Sequence, residues 1–439
     1  MSRFLPILFT VLFFELVSCA YSGKSKEISE AVSKTDTCKS DSQNTYEVYI
    51  PERNNADEKL PLLIILDAHG NGAFAIDKFK LSARNFPAIL VASNLVKNGF
   101  VNYESAIETL IKDVKQKYPV SDFVFMTGFS GGARMALGYA QTHQLNGLIL
   151  CGALADAGQI NSLNCLVYAI SGTDDFNFIE TAQYLFQEQT MPKNLKIELT
   201  NESHNWPDSL FLSNAVGFLF LSNQNSIIVR KSQTTDYCQS QIARIETLEK
   251  SADFLKAATI ARNMSTTAPF NSDKTFASKY SDLVARPEYT SQLNRLKDCL
   301  NFEIKARQPY IEAFSTKDSF WWNNEIRVLK EKIKTEPDSF KKDMYKRIKG
   351  FLGIACYSLC NQFVNEQNEE MLTKILFVYG ELEPENPYVL YFSAFPELWN
   401  ANSEATILIL KKAQQTGFSD FAQIKHDFPE SVTSKLIFK

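Results

Sequence analysis

Gly128-Phe129-Ser130-Gly131-Gly132 is the segment of this chain best suited to chemistry. It fits G-x-S-x-G. It follows an apolar, strand-like run, Phe123-Val124-Phe125-Met126, and precedes a small-residue helical stretch, Gly131 to Gln141. A chain that turns so sharply from strand to helix strains its serine and tolerates only small neighbours. The hydroxyl is pushed out past the strand end, beside a helix N-terminus that favours developing negative charge. Ser130 is the candidate nucleophile.

A serine hydroxyl is weak until a base takes its proton. The chain has four histidines to choose from: His69, His143, His204 and His426. His143 falls at the far end of the helix that Ser130 opens. His426 lies in a helical region far downstream. His69 ends an early strand and precedes the serine. His204 follows the last strand-like run, in Ser203-His204-Asn205-Trp206-Pro207. An acid that orients the imidazole belongs after the preceding strand, where Ile170-Ser171-Gly172-Thr173-Asp174-Asp175 stands. Asp175 is preferred to Asp174, and Asp156 is a third choice. The plainer alternatives are a solvent-facing loop histidine and aspartates that cap a helix.

These residues need a scaffold. Tyr46 to Ile50 alternates like a half-exposed strand, and Leu60 to Leu66 is continuously apolar, like a strand covered on both faces. Ala88 to Ala92, Gly147 to Leu150, Leu166 to Ile170 and Leu195 to Leu199 read as further strands. Helical stretches separate them at 75–85, 104–117, 178–189 and 208–221. Glu104 to Lys117 shows Ala106, Ile107, Leu110, Ile111 and Val114 at helical spacing. Such alternation predicts an α/β domain, a doubly wound, mostly parallel sheet with helices on both faces. No large insertion separates the strands after Ser130, so an uncovered site without a lid is expected.

Residues 46–224 resemble the α/β-hydrolase superfamily, within it the polyhydroxybutyrate depolymerase-like and feruloyl or acetylxylan esterase branch. The resemblance rests on His69-Gly70, Gly128-Phe129-Ser130-Gly131-Gly132, Gly172-Thr173-Asp174-Asp175 and Ser203-His204-Asn205-Trp206-Pro207. One departure is Ser203, where that branch carries Gly before the base. The resemblance implies the order serine, acid, histidine, and hence a triad of Ser130, Asp175 and His204. It implies an oxyanion hole of two backbone N–H groups. One belongs to Gly131, the other to the turn Asp67-Ala68-His69-Gly70-Asn71-Gly72, with Asn71 preferred and Gly70 the alternative. Ester substrates, small or polymer-borne, follow from the same resemblance.

The N-terminus predicts export. Arg3 precedes an apolar stretch, Phe4 to Val17, too short to span a bilayer comfortably. It ends in Leu16-Val17-Ser18-Cys19, which resembles the lipobox of bacterial lipoproteins, with Glu15 as an unusual charge. The expectation is a signal peptide over 1–19, lipidation of Cys19, and anchoring at the cell envelope, most simply at the outer membrane in the periplasm or on the outer surface. A secretory signal without lipidation is the alternative. Residues 20–45 are polar and predict a flexible tether.

After about residue 225 the strand signal fades. Residues 238–264, 276–314, 323–334, 340–366, 371–382, 388–399 and 403–416 read as helices. Breaks at Glu383-Pro384-Glu385-Asn386-Pro387 and Gly417-Phe418 suggest a tetratricopeptide-like helical repeat, period about 34–40 residues, over 225–439, with an irregular all-α domain as the alternative. Eight cysteines less Cys19 leave an odd number, so at least one thiol stays free. Cys356 and Cys360, four apart on a helix, read as core. Trp321, Trp322 and Trp399 read as core before ligand surface.

The formal net charge of −4 over 439 residues and the lack of a basic stretch argue against nucleic acid. No metal cluster, phosphate loop or nucleotide fingerprint is visible, and no cofactor is expected. The leading reading is an envelope-anchored serine hydrolase of carboxylic esters. The alternatives are a serine peptidase with the same triad, and a binding lipoprotein whose helical domain holds a protein partner.

Overall fold

The computed structural model describes residues 31–53, 58–187, 190–223 and 231–437. Cys19 and residues 20–30 lie outside them.

The sheet-bearing part runs β1 (Val32–Cys38), β2 (Asp41–Ile50), β3 (Leu60–Leu66), α1 (Gly72–Asn85), β4 (Ile89–Ser93), α2 (Tyr103–Lys117), β5 (Val120–Phe129) and α3 (Gly131–Thr142). It continues through β6 (Gly147–Cys151), α4 (Ala157–Asn161), β7 (Val167–Gly172), α5 (Phe178–Phe186), β8 (Leu195–Thr200) and α6 (Ser209–Ser222). The apolar run over β3 is buried at every residue, as the absence of alternation requires. The eight strands lie in the order β1-β2-β4-β3-β5-β6-β7-β8. From β4 to β8 all pairings are parallel, while β2 is antiparallel to β4 and β1 to β2. With helices on both faces, this is the α/β-hydrolase fold.

Residues 31–45 correct the tether expectation. Val32–Cys38 pairs with β2 as an antiparallel edge strand, and β2 itself starts at Asp41. A polar composition suffices because ionic contacts hold the strand. Lys117 Nζ reaches Asp36 at 3.1 Å and Asp113 at 2.7 Å, and the Tyr46 hydroxyl donates to Asp113 at 2.7 Å.

One sheet face packs on α2, α3 and α5 through residues such as Ile107, Leu110, Ala136 and Phe178. The other takes Ile76 and Phe79 of α1 and Val216 and Leu219 of α6. Those two helices leave part of that face open. It is completed by α7 (Lys231–Lys250), α8 (Phe254–Ser265) and α9 (Thr275–Val284), through Tyr237, Ile245, Phe254, Ile260, Phe276 and Leu283. Each such side chain, fully buried, stabilises the fold by roughly 1.5–3 kcal/mol. Asn263 of α8 also closes the edge of β8: its Nδ2 donates to the Ile197 carbonyl at 2.7 Å and its Oδ1 accepts from the Ile197 N–H at 3.3 Å.

Packing therefore places the boundary well past residue 225, inside α10 (Pro287–Thr316). Leu296 and Leu300 join the sheet's core, whereas Cys299, Ala313 and Phe314 join a separate helical core. Two long helices read from the sequence are each divided. Ala252, at φ 57°, separates α7 from α8, and Pro287 opens α10 at a position where a missing N–H costs nothing.

The helical core is built by α11 (Ser319–Thr335), α12 (Ser339–Asn365), α13 (Glu369–Leu382), α14 (Pro387–Trp399), α15 (Ser403–Gln415), α16 (Phe421–Asp427) and α17 (Glu430–Thr433). α15 starts 34 residues after α13, and α16 starts 34 after α14. The 27-residue α12 breaks that period. Trp322, Cys356 and Cys360 are buried in this core, with Trp321 and Trp399 packed against it.

Candidate active site

Ser130 sits between β5 and α3 with φ 54° and ψ −117°, a left-handed conformation that a side chain adopts only under constraint. The constraint is visible at its neighbours. A Cβ on Gly128 would stand 2.3 Å from the Gly132 carbonyl carbon, and one on Gly132 would stand 2.0 Å from the Leu66 carbonyl oxygen. The turn is thus wedged between its own helix and the end of β3.

His204 reaches the serine from the loop after β8. Its Nε2 is 2.8 Å from Ser130 Oγ, and its Nδ1 is 2.9 Å from each oxygen of Asp175. Asp175, in the loop after β7, is 1 % exposed. One of its oxygens also accepts from the Asn177 N–H at 2.8 Å. The imidazole lies between two rings, with the Phe176 centroid at 4.1 Å and the Phe129 centroid at 4.7 Å. Ser130, His204 and Asp175 are brought together from three separate strand ends.

The other candidates go elsewhere. Asp174 pairs with Lys346 of α12 at 2.8 Å, and burial raises its carboxyl above the ordinary value while Lys346 opposes the shift. Asp156 caps α4 through the N–H groups of Gly158 and Gln159. His143 pairs with Glu108 at 2.6 Å, and His426 lies beside Asp427 on an exposed surface. His69 is exposed on the turn after β3.

That turn departs from the expected oxyanion geometry. The Asn71 N–H donates to Asp67 Oδ1 at 3.2 Å and the Gly70 N–H to the Asp67 carbonyl at 3.1 Å, so both amides are already engaged. Asn71 instead caps α1, accepting from the Phe74 N–H. Among the described residues, the N–H groups of Gly131 and Ala68 have no intramolecular acceptor. Ala68 follows Asp67, whose carbonyl carbon lies 3.4 Å from where a Gly132 Cβ would stand.

Asp67 was not singled out by any motif. Its Oδ1 also accepts from the His69 N–H at 2.9 Å, and its Oδ2 from Trp206 Nε1 at 2.7 Å. One buried carboxylate therefore joins the turn after β3 to the loop that carries His204. The Trp two residues past His204 was the available signal, since a buried indole N–H requires an acceptor.

No insertion interrupts the sheet, but downstream helices touch the loops on both flanks of the site. Asp420, which caps α16, pairs with Lys97, after β4, at 3.1 Å. Asp343 of α12 accepts from the Thr173 hydroxyl, after β7, at 2.9 Å. In the sheet, β4 and β7 each stand two places from β5.

No family model and no curated protein matches the chain. Solved structures do. Esterase B from Lactobacillus rhamnosis is 14 % identical over 45 % of this chain and 89 % of its own, with a TM-score of 0.34. Est1E from Butyrivibrio proteoclasticus is 12 % identical over 42 % and 95 %, TM-score 0.33. The feruloyl esterase module from Clostridium thermocellum, complexed with sinapinate, is 14 % identical over 43 % and 86 %, TM-score 0.35.

Proposed function

We propose that this chain is a serine hydrolase of carboxylic esters, held at the cell envelope by a lipid on Cys19. The carrying observation is the hydrogen-bonded line from Ser130 through His204 to Asp175, starting from a serine in a strained turn.

In this reading, His204 Nε2 takes the Ser130 proton as Oγ attacks the ester carbonyl carbon. The carbonyl electron pair moves to oxygen, giving a tetrahedral oxyanion that faces the N–H groups of Gly131 and Ala68. Asp175 stays ionised, holds the Nδ1–H and stabilises the imidazolium. Collapse breaks the bond to the alcohol oxygen, which receives the proton from His204. The acyl group stays on Ser130. Water then attacks the acyl carbon, His204 accepts a proton from it, and the second tetrahedral species expels Ser130 Oγ, which is reprotonated. A carboxylic acid leaves.

The test is fluorophosphonate labelling of the detergent-purified full chain beside Ser130→Ala and His204→Ala. Labelling lost in Ser130→Ala and strongly reduced in His204→Ala supports the reading. A folded wild-type protein that does not label overturns it. The anchor is tested by Cys19→Ser, which should leave the membrane fraction; retention there counts against lipidation.

A further inference from the structure

The tetrapeptide Thr173-Asp174-Asp175-Phe176 is held by the helical domain at every residue except Asp175. Arg347 of α12 donates to the Thr173 carbonyl, and Arg307 of α10 donates to the Phe176 carbonyl at 2.7 Å. The Thr173 hydroxyl binds Asp343, and Asp174 binds Lys346. The Phe176 ring, which packs at a tilt against His204, lies 3.3 Å from the point a Gly350 Cβ would occupy. Both guanidinium groups are fixed by one carboxylate, Glu303, at 2.6 Å from Arg307 and 2.7 Å from Arg347.

Glu303 and Arg347 are 0 % and 1 % exposed. Burying a charged triad costs desolvation that its own attraction only roughly offsets, so such a group is a weak source of net stability. Its effect here is geometric. The Arg–Glu–Arg cluster fixes the carbonyl two residues before Asp175 and the carbonyl one residue after it. The peptide between has little freedom to rotate the carboxylate away from His204 Nδ1.

We propose that Arg307 and Arg347 are positioning residues: the helical domain aligns the catalytic acid from outside the hydrolase fold. This rests on the reading of Ser130, His204 and Asp175 as a triad. Misplacement of a catalytic group by about 1 Å lowers rate by up to about a hundredfold. A merely structural role would change stability and leave the titration of the site alone.

The experiment uses the full chain in detergent, with wild type, Arg307→Lys and Arg347→Lys. Lysine keeps a charge beside Glu303 but lacks the fork that reaches both partners. The rate of fluorophosphonate modification is followed against pH, with the thermal midpoint of each variant. The expected result is a loss of at least about tenfold in rate, with the acid limb of the profile moved to lower pH. The limb moves because a misaligned carboxylate stabilises the imidazolium less. Should Arg347→Lys not fold, the partly exposed Arg307→Lys decides. Wild-type rate and an unmoved limb in a folded variant overturn the positioning role alone. A wild type that does not label overturns the triad, and this role with it.

Discussion

Asp175 presents both carboxylate oxygens to His204 Nδ1 at 2.9 Å, whereas Asp174, one residue earlier, turns away to Lys346. The two acids are adjacent in sequence and opposite in duty. Asp175→Asn should preserve the fold, leave the imidazole in the wrong tautomer and lower kcat on a p-nitrophenyl ester by on the order of 10⁴. Asp174→Asn, which keeps an acceptor for Lys346, should cost at least two orders of magnitude less. Equal losses in the two variants would mean that the acid has been misassigned.

Asp67 should matter to turnover without touching substrate. Its carboxylate fixes the His69 and Asn71 amides and the Trp206 indole. Asp67→Ala leaves the buried Trp206 indole without its acceptor, at a cost of roughly 1–3 kcal/mol, and releases the exposed His69 and Asn71 amides to solvent. Lower thermal stability and about a hundredfold lower kcat/KM are expected together. Asp67→Asn, which retains one acceptor oxygen, should recover part of both. An unchanged kcat/KM in a folded Asp67→Ala protein would detach the turn from catalysis.

The nucleophile turn admits no enlargement. A Cβ at Gly132 would meet the Leu66 carbonyl oxygen, a backbone atom that cannot step aside as a side chain can. Gly132→Ala should cost about 1–3 kcal/mol through overpacking and should also move Ser130. Urea unfolding and fluorophosphonate labelling check the two consequences. Wild-type values in both would show that the strand end and the helix are not in rigid contact.

The parallel sheet and the serine turn were legible because both are local patterns. Leu60–Leu66 is a strand wherever it is read, and a G-x-S-x-G between strand and helix admits few geometries. His204 and Asp175 were legible from their order along the chain. What escaped is non-local. Residues 31–45 look like a linker because their ion pairs to Lys117 come from α2, far along the sequence. The end of the hydrolase part was misplaced because α7–α9 are amphipathic helices like any others, and only contact shows that they cover the sheet. Asn71 was preferred as an oxyanion donor because nothing in the sequence reveals that Asp67 would take its N–H.

Lys196 gives a pH-dependent test of the packing between β8 and α8. Burial, with nearby Arg262 adding to it, lowers its ammonium from 10.5 to about 8. The charged form is therefore disfavoured in the folded protein. Below pH 8 both folded and unfolded chains carry the proton and the destabilisation is complete. Between 8 and 10.5 the unfolded chain holds more protons than the folded one, so stability rises with pH until the contribution vanishes. A shift of this size corresponds to roughly 3 kcal/mol. The ammonium also donates to the Lys193 carbonyl and to Thr266 Oγ1, and those bonds offset part of it. Lys196→Met should thus stabilise the protein by about 1–2 kcal/mol at pH 7, after roughly 1 kcal/mol is subtracted for each lost bond. The gain should fade as pH rises toward 10.5. Urea unfolding of wild type and Lys196→Met at pH 7 and pH 10 measures it. A gain of equal size at both values would show that the ammonium is solvated, and that α8 does not seal the edge of β8.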